Sequence, residues 1–436
     1  MNRHTLRRAW LRAVSAIATV AAIGGLAAAC STERVDVKAW EHPDFSKTGP
    51  ITYVQGKDNS GKLRDFITSW NKEHPNEKVT MIELSTEADQ QRNSFVQNAQ
   101  TKSDSYCVES LDNIWVAEFA ANRWVVPLPM DELKNPDILP PVWQTGLYRD
   151  KLYAMPHASD GAVLFYRSDL LKQAGITEPP VTWADMKTDC DKVRALPGHE
   201  KIGCYASQEA KYEGLTVNTV SAINSAGGEV IDSNGKVVIN SPEAKKGFSM
   251  LVEGMKSGFI PKEAMTYKEE EGRSAFEKDR VLFYANWPYM YSLSEKAIPG
   301  KFGVTSLPQI VPGKAAVSSL GGHNVGISTY CENKGTALKF IKAYSSKETV
   351  QWALDTMTLA PTYKSLYEDP ANIKKFPYLP ALLTSIENAK PRPKVVNYAD
   401  ISSTIQDQAF DALQGKQSAD AALDNLAKLI DERAMR

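Results

Sequence analysis

Short β-rich runs alternate with amphipathic helical segments in the first quarter of the chain, and this alternation limits the fold more than any other feature. The predicted elements are a strand at 51–54, a helix at 63–73, a strand at 79–84, a helix at 87–101 and a strand at 106–111. Strand, helix and strand at these lengths predict βα units in a parallel sheet. Ligands of such sheets bind beyond the carboxyl ends of the strands. Asp112 and the loop after residues 51–54 are therefore candidate binding positions.

The middle of the chain repeats this pattern. Strands are predicted at 161–166, 281–285 and 322–328, and helices at 168–174, 183–196 and 241–256. Residues 227–239 read as a hairpin whose turn is Asn234-Gly235, and the chain from Pro361 is mainly helical. With domains of about 100–200 residues, the body has room for two or three of them. A two-lobed α/β body fits this length.

The N-terminus has the layout of a secretory signal peptide. Arginines at positions 3, 7, 8 and 12 precede an uncharged, Ala-rich run at 13–29, which ends in small residues before Cys30. This ending resembles a bacterial lipobox, so we expect residues 1–29 to be removed and Cys30 to be lipidated. An ordinary signal peptide with a chance cysteine is the alternative. Arg7-Arg8 also resembles a twin-arginine signal, with Sec export as the alternative, because arginine pairs are common in such positive regions. Residues 30–50 are expected to tether the anchor to the body.

The charge balance and the cysteines indicate which binding partners and which covalent links are expected. The chain has 51 Lys and Arg against 52 Asp and Glu, so we expect no basic surface and no nucleic-acid partner. Four cysteines remain beyond Cys30, and their even number permits disulfides in an oxidising compartment. Cys190 and Cys204 enclose a short loop and are the candidate pair, with free buried thiols as the alternative. No cysteine has zinc-ligand spacing, and we expect neither a metal nor a cofactor.

Nine segments together resemble one known family. They are 87–92, 111–119, 124–128, 151–156, 160–167, 212–215, 286–289, 321–328 and 389–393. In this order they resemble the extracellular solute-binding proteins of sugar ABC importers, and within them the trehalose/maltose-binding proteins. Each segment is weak evidence when taken alone. Their common order over nearly all of the chain beyond residue 51 is specific.

The resemblance implies a two-lobed periplasmic-binding-protein-like α/β fold with a hinge and an interlobe cleft. One lobe would comprise residues 51–157 and 313–360, and the other residues 158–312 and 361–436. Crossovers are expected near 156–159, 308–318 and 360–362. The protein would be an exported monomer, anchored by lipid to the outer face of the cell membrane. It would deliver a small oligosaccharide, such as the α-glucosides trehalose or maltose, to ABC permease subunits and their ATPase.

The same resemblance supplies a candidate sugar site. Sugars need planar polar groups for their hydroxyls and aromatic faces for their C–H surfaces. The hydroxyl partners would be Arg92, Asp112, Asp160, Glu270 and Arg392, with Trp287 as the stacking surface, Gly322 as a close backbone approach, and Tyr212 and His323 as further lining residues. Three of these residues also have a purely structural alternative. Asp112 could be a turn residue at a strand end, Arg392 an exposed loop residue and Trp287 a core residue.

Two departures from the family pattern affect the choice of sugar. His323 stands where relatives often carry tryptophan, and the turn Asn59-Ser60 lacks the acidic residue that is expected after the first strand. A smaller, polar group at position 323 would widen the pocket or bond a different hydroxyl, so these departures bear on which sugar is selected. Glu270 also has two neighbours of its own kind, so a shift of one residue would select Glu269 or Glu271 instead.

Two other functions remain as alternatives. Asp112 and Asp160 could act as the two carboxyl groups of a glycoside hydrolase, and a structural lipoprotein would bind no small ligand. The sequence contains no nucleophile elbow, no His-Glu-x-x-His and no phosphate-binding loop. We therefore expect binding without catalysis.

Overall fold

The computed structural model describes residues 37–434, so the predicted signal peptide and Cys30 lie outside the described residues. Its strands are β1 Ile51–Gln55, β2 Val79–Glu83, β3 Val108–Asp112, β4 Leu147–Tyr148, β5 Lys151–Leu152, β6 Ala154–Asp160, β7 Val163–Tyr166, β8 Gly203–Ala206, β9 Val281–Asn286, β10 Gly303–Thr305 and β11 Gly321–Ile327. Nine of these strands form two separate sheets, and β4 pairs only with β5.

Helices cover both sheets. They are α1 Val37–Glu41, α2 Leu63–Glu73, α3 Ala88–Gln100, α4 Val116–Ala121, α5 Met130–Leu133, α6 Pro140–Thr145, α7 Ser168–Gln173, α8 Trp183–Arg194, α9 Glu213–Ser225, α10 Pro242–Ser257, α11 Glu269–Glu277, α12 Met290–Ala297, α13 Lys334–Tyr344, α14 Lys347–Met357, α15 Lys364–Glu368, α16 Pro370–Lys375, α17 Leu379–Asn388, α18 Tyr398–Leu413 and α19 Ala419–Ala434. One 3₁₀ helix spans Lys262–Thr266. None of the helices within residues 37–434 has the length and apolar character needed to cross a bilayer.

The first sheet has the strand order β2-β1-β3-β11-β6. Its strands β1, β2 and β3 are parallel, as the alternation of strands and helices predicts. By contrast, β11 runs antiparallel to both β3 and β6, and it places His323 opposite Asp112. The late strand therefore brings residues from two distant parts of the chain to one end of the sheet.

The second sheet has the order β10-β7-β9-β8. Strand β9 lies at its centre, antiparallel to β7 and parallel to β8. All six residues of β9 are buried, as is typical of a strand at the centre of a covered sheet. Asn286, its last residue, leads directly into Trp287.

Each sheet has its own hydrophobic core. Around the first sheet, Tyr53, Phe95, Phe119 and Phe340 are fully buried. Around the second, the buried aromatic residues include Phe165, Phe248, Phe276 and Phe283. Two cores define two lobes, the first lobe around the first sheet and the second lobe around the second.

The chain passes between the lobes at the junction of β6 and β7, between β10 and β11, and after α14. Two of these passages touch, because the Ser159 N–H donates to the Ala360 carbonyl at 3.1 Å. Residues 156–159, expected to be a crossover, lie inside β6, so the crossing comes a few residues later. Strand pairing with β11 holds this segment in the first sheet.

The segment expected to be a tether is packed against the first lobe from Trp40 onward. The Trp40 indole N–H donates to the Val125 carbonyl at 2.8 Å, and its ring stacks on Tyr153. Further along, the Gly49 N–H donates to the Thr336 hydroxyl at 3.0 Å. Trp40 and Gly49, within the segment that was expected to act as a tether, are therefore held on the first lobe. An isolated buried tryptophan leaves no periodic pattern in the sequence.

Two disulfides lie within the described residues. Cys190 on α8 pairs with Cys204 on β8, with their Cα atoms 5.5 Å apart. Cys107 pairs with Cys331 across 224 residues, with a Cα separation of 4.5 Å. This second bond joins the start of β3 to the segment after β11, and spacing alone gave no sign of it.

Residues 227–239 form a tight turn and no extended hairpin. Only Ile231 and Val237 make a bridge, and the Asp232 carboxylate accepts hydrogen bonds from the backbone N–H groups of Asn234 and Lys236. The Asn-Gly signal identifies the turn, but the flanking residues are too few to continue a ladder.

Glu109 is a buried acid in β3 that has no partner. Both of its carboxyl oxygens lack a hydrogen bond among the described residues, and burial raises its pKa well above the usual range. The free energy of unfolding should therefore fall as pH rises above about 4.5, because Glu109 ionises more readily in the unfolded chain than inside the lobe.

We expect Glu109→Met to raise the free energy of unfolding by about 1–3 kcal/mol at pH 7.5. Methionine has a similar length and removes the carboxyl group that must stay protonated. The gain should shrink at pH 4.5, where the unfolded parent also holds the proton for about half of the time. Urea unfolding at the two pH values measures this, and an equal gain at both would contradict it.

Candidate functional site

A cavity of about 310 Å³ lies between the two lobes. On the first lobe it is lined by the loop after β1 and by the ends of β3 and β6, which agrees with binding at the carboxyl ends of strands. On the second lobe it is lined by the first turns of α9 and α11 and by the segment after β9. Of the nine predicted site residues, the eight that line it are Asp112, Asp160, Tyr212, Glu270, Trp287, Gly322, His323 and Arg392.

Arg392 lies at the centre of a buried ion-pair network and is not the exposed loop residue of the structural alternative. Its guanidinium donates to Asp112 of the first lobe at 3.2 Å and to Glu213 of the second lobe. Burial opposes its charge, but neighbouring negative groups, chiefly Asp112, raise the pKa of Arg392 above its ordinary value. Tyr398 and Ser402 also donate to Glu213. The network therefore connects the two lobes through one arginine.

Asp160 ends β6 and faces the cavity with a free carboxyl group. No described residue hydrogen-bonds to this carboxyl group. Burial, together with the nearby charge of Asp112, raises the pKa of Asp160 to about 8. At pH 7 the group is therefore mostly protonated and can both donate and accept one hydrogen bond.

Glu269 and Glu270 both line the cavity from the first turn of α11. Glu270 is already paired, since it accepts from Arg273 at 2.6 Å and from the Tyr289 hydroxyl at 2.7 Å. Glu269 has no such cation, and burial raises its pKa. The sequence alone could not choose between neighbouring glutamates at this position, and in the structure both Glu269 and Glu270 line the cavity.

Trp287 and two glycines shape one wall of the cavity. A Cβ atom at Gly321 would lie 3.0 Å from the Trp287 ring, so glycine lets the indole approach the backbone. Gly322 has φ +109° and a Cβ there would lie 2.5 Å from the Ala158 carbonyl oxygen. Only glycine suits this conformation and this close strand pairing.

His323 and His157 form a neutral polar corner of the cavity. Burial lowers the pKa of His323, and burial together with His323 lowers the pKa of His157 to about 3. The His157 ring lies 3.2 Å from the Ser110 hydroxyl and packs on Tyr344. An uncharged imidazole offers one donor and one acceptor, where a tryptophan would offer only a flat face and one donor.

Arg92 does not line the cavity, and its prediction as a sugar ligand is not supported by its position. Its Nε donates to Glu118 at 2.8 Å, and a second guanidinium nitrogen donates to the other oxygen of the same carboxylate. This two-pronged pair engages Nε and one terminal nitrogen of the guanidinium. The partner lies 26 residues away on α4, where local sequence patterns do not reveal it.

The loop after β1 does contain an acidic residue, one position before Asn59. Asp58 lines the cavity, but its carboxylate accepts from the backbone N–H groups of Ser60 and Leu63 at 2.9 Å. It therefore caps the start of α2.

Tyr212 lies directly before α9, and it is buried. Its hydroxyl lies beside the Glu269 carboxyl group, and burial together with this carboxyl group raises the pKa of Tyr212 well above its ordinary value. The structure adds Glu213, Glu269, His157 and Tyr289 to the lining. Glu213 lies inside the matched segment 212–215, so the family resemblance could have identified it as a site residue.

No cluster of metal-ligating side chains occurs among the described residues.

Residues 53–351 match the model of the bacterial extracellular solute-binding protein family. The chain belongs to this family. A probable ABC transporter-binding protein of Deinococcus radiodurans is 29% identical over 383 residues, which cover 85% of this chain and 89% of that protein. A maltooligosaccharide ABC transporter solute-binding lipoprotein of Streptococcus pneumoniae is 22% identical over 297 residues, 65% of this chain and 66% of that protein.

The fold of this solute-binding protein is also found in solved structures. Maltose-bound T. maritima MalE3 superposes with a TM-score of 0.81 at 30% identity, covering 87% of this chain and 98% of that one. The two-lobed periplasmic-binding-protein-like fold expected from the sequence is therefore confirmed.

Proposed function

We propose that this solute-binding protein captures a small α-glucoside, such as trehalose or maltose, outside the cell and delivers it to an ABC importer. The observation that carries the proposal is the cavity between the lobes, where Asp112, Asp160 and Arg392 meet Trp287. Planar charged groups for hydroxyls and an indole face for C–H surfaces suit a sugar. The relatives named above, which include a maltooligosaccharide-binding lipoprotein and a maltose-bound protein, support the same class.

The size of the cavity favours a short sugar. Its volume of about 310 Å³ is at the lower end of the range of about 300–1,000 Å³ for small-ligand sites. A longer chain of sugar rings would have to extend out of the cleft and keep the lobes apart. We therefore propose a disaccharide as the preferred ligand.

Export and anchoring complete the proposal. The signal-peptide layout and Cys30 support a lipoprotein held at the outer face of the membrane, and the lipoprotein relative has the same character. Permease subunits with an ATPase would be its partners, and the receptor would act as a monomer. Two or more acyl chains would hold it near the transporter.

Binding without catalysis is the part of the proposal that separates it from a glycoside hydrolase. Asp112 is held by Arg392 and is not a free nucleophile or base. Incubation with trehalose, maltose and longer oligosaccharides should produce no new reducing ends. Turnover that disappears in Asp112→Asn would establish the hydrolase instead.

A sugar panel tests the proposal directly. Calorimetry with the chain from Ser31 to Arg436 should give saturable binding of trehalose or maltose. Tighter binding of longer oligosaccharides would contradict the disaccharide preference. No heat and no thermal shift with any sugar would favour a structural lipoprotein.

Trp287→Ala should weaken sugar binding by about 10- to 100-fold, because the substitution removes the aromatic surface under the sugar. Trp352→Ala is a suitable control, since this tryptophan packs on Phe66 away from the cavity. Calorimetry on both variants checks the prediction. Equal affinities in the parent and in Trp287→Ala would show that the indole is a core residue.

A further inference from the structure

The matched segment 87–92 has a role that Arg92 does not explain. With Arg92 held by Glu118, the residues of this segment that reach out of the first lobe are Glu87 and Asp89. Glu87 forms an ion pair with Lys268. Asp89 lies near Gln406 and the backbone of Glu213, both of which lower its pKa, although burial outweighs them and raises it overall.

The two sides of these contacts belong to different lobes. Glu87 and Asp89 lie at the start of α3, which packs against β3 of the first sheet. Lys268 precedes α11, which packs against β9 of the second sheet, and Gln406 lies on α18 of the second lobe. A hinge motion that separates the lobes must therefore break the ion pair between Glu87 and Lys268.

The contacts also lie next to the cavity. Ala88 and Gln91 on α3 line it from one side, and Glu269 and Glu270 on α11 line it from the other. The Lys268 ammonium lies 5.8 Å from the centre of the Tyr212 ring, another lining residue. Closing the rim at this point brings both sets of lining residues to their positions around a ligand.

The ion pair is partly shielded from water, with Lys268 and Glu87 side chains 32% and 29% exposed. Shielding at this level makes an ion pair stronger than a fully exposed one, while salt can still weaken it. Each partner of the ion pair is also held by a neighbour in its own lobe. The Gln90 side-chain amide donates to the Glu87 carboxylate at 2.9 Å, and the backbone N–H of Lys268 donates to the Glu271 carboxylate at 3.2 Å.

We propose that Glu87 of the first lobe and Lys268 of the second form an interlobe clamp that stabilises the closed form and slows ligand release. The effect on ligand release rests on the proposed function, but the effect on closure does not. A ligand that binds between closed lobes shifts the open–closed equilibrium, and contacts made only in the closed form add to that shift.

A double-mutant cycle tests the ion pair. Glu87→Gln and Lys268→Met should each accelerate the release of trehalose or maltose by about 2- to 5-fold, with little change in the association rate. The double variant should be no faster than either single variant, because the pair is already broken. Stopped-flow fluorescence measures the rates. Additive effects, or unchanged release in all three variants, would overturn the clamp.

Glu77 and Lys339 supply a matched control. They form an ion pair at 2.8 Å within the first lobe, so Glu77→Gln with Lys339→Met should leave release unchanged. An acceleration of the same size in this control would mean that any lost ion pair loosens the protein, and the clamp would be rejected.

Small-angle X-ray scattering separates the clamp from the proposed function. In the ligand-free chain, Glu87→Gln and Lys268→Met should shift the lobes toward the open form, which raises the radius of gyration. High salt should do the same to the parent and less to the variants. If no sugar binds but this expansion occurs, the sugar proposal fails while the clamp stands. An identical radius of gyration in parent and variants at every salt concentration overturns the clamp.

Discussion

Arg392→Met should abolish measurable sugar binding and lower the free energy of unfolding by about 3–5 kcal/mol at pH 7.5. The reason is that Asp112 and Glu213 would then share a buried site without a cation. The loss should be smaller at pH 5, because burial raises the pKa of Glu213 and protonation of this carboxyl group removes part of the uncompensated charge. Urea unfolding at both pH values measures the change, and calorimetry measures binding.

Arg64→Met is the control for this substitution. Arg64 pairs with Glu83 at the surface of the first lobe, with 62% of its side chain exposed. Its loss should change the free energy of unfolding by less than about 1 kcal/mol. If Arg392→Met lowers stability no more than this control does, the network around Arg392 is not a buried ion pair in solution.

The fold was predictable to the extent that local patterns control it. The runs that form β1, β2 and β3 carry strand residues between amphipathic helices, and their parallel pairing follows from that order. The antiparallel β11 was predictable as a strand only. Its place between β3 and β6 depends on packing between segments separated by about 160 to 210 residues, which periodicity does not encode.

The residues of the candidate site likewise divide into those that local patterns could predict and those that depend on distant parts of the chain. Asp112 and Gly322 stand at strand ends or in a strand, where backbone geometry restricts where their side chains or Cα atoms can lie. Arg92 does not line the cavity, because Glu118, on another helix, binds its guanidinium. Trp40 was missed because a single aromatic residue in a polar segment has no pattern that distinguishes it from a tether.

Charge pairs also join the two lobes across the polar cavity. Arg392 joins Asp112 across the cleft, and Lys268 joins Glu87 at its rim. Each interlobe pair unites a carboxylate of the first lobe with a cation of the second. A sugar inside the cavity would meet hydrogen-bonding groups that these pairs already hold in position, which lowers the entropy cost of closure.

Asp160→Ala should weaken sugar binding by about 100-fold, whereas Asp160→Asn should weaken it by less than about 10-fold at pH 7. Alanine leaves sugar hydroxyls unpaired in a closed cavity, while asparagine keeps a neutral group that donates and accepts, as the protonated carboxyl group does. Since the pKa of Asp160 is about 8, the parent should lose affinity as pH rises through 8, when a second negative charge appears beside Asp112. The asparagine variant should show no such loss. Calorimetry from pH 6 to pH 9 measures both effects, and an asparagine variant as weak as alanine would mean that the sugar requires the ionised carboxylate.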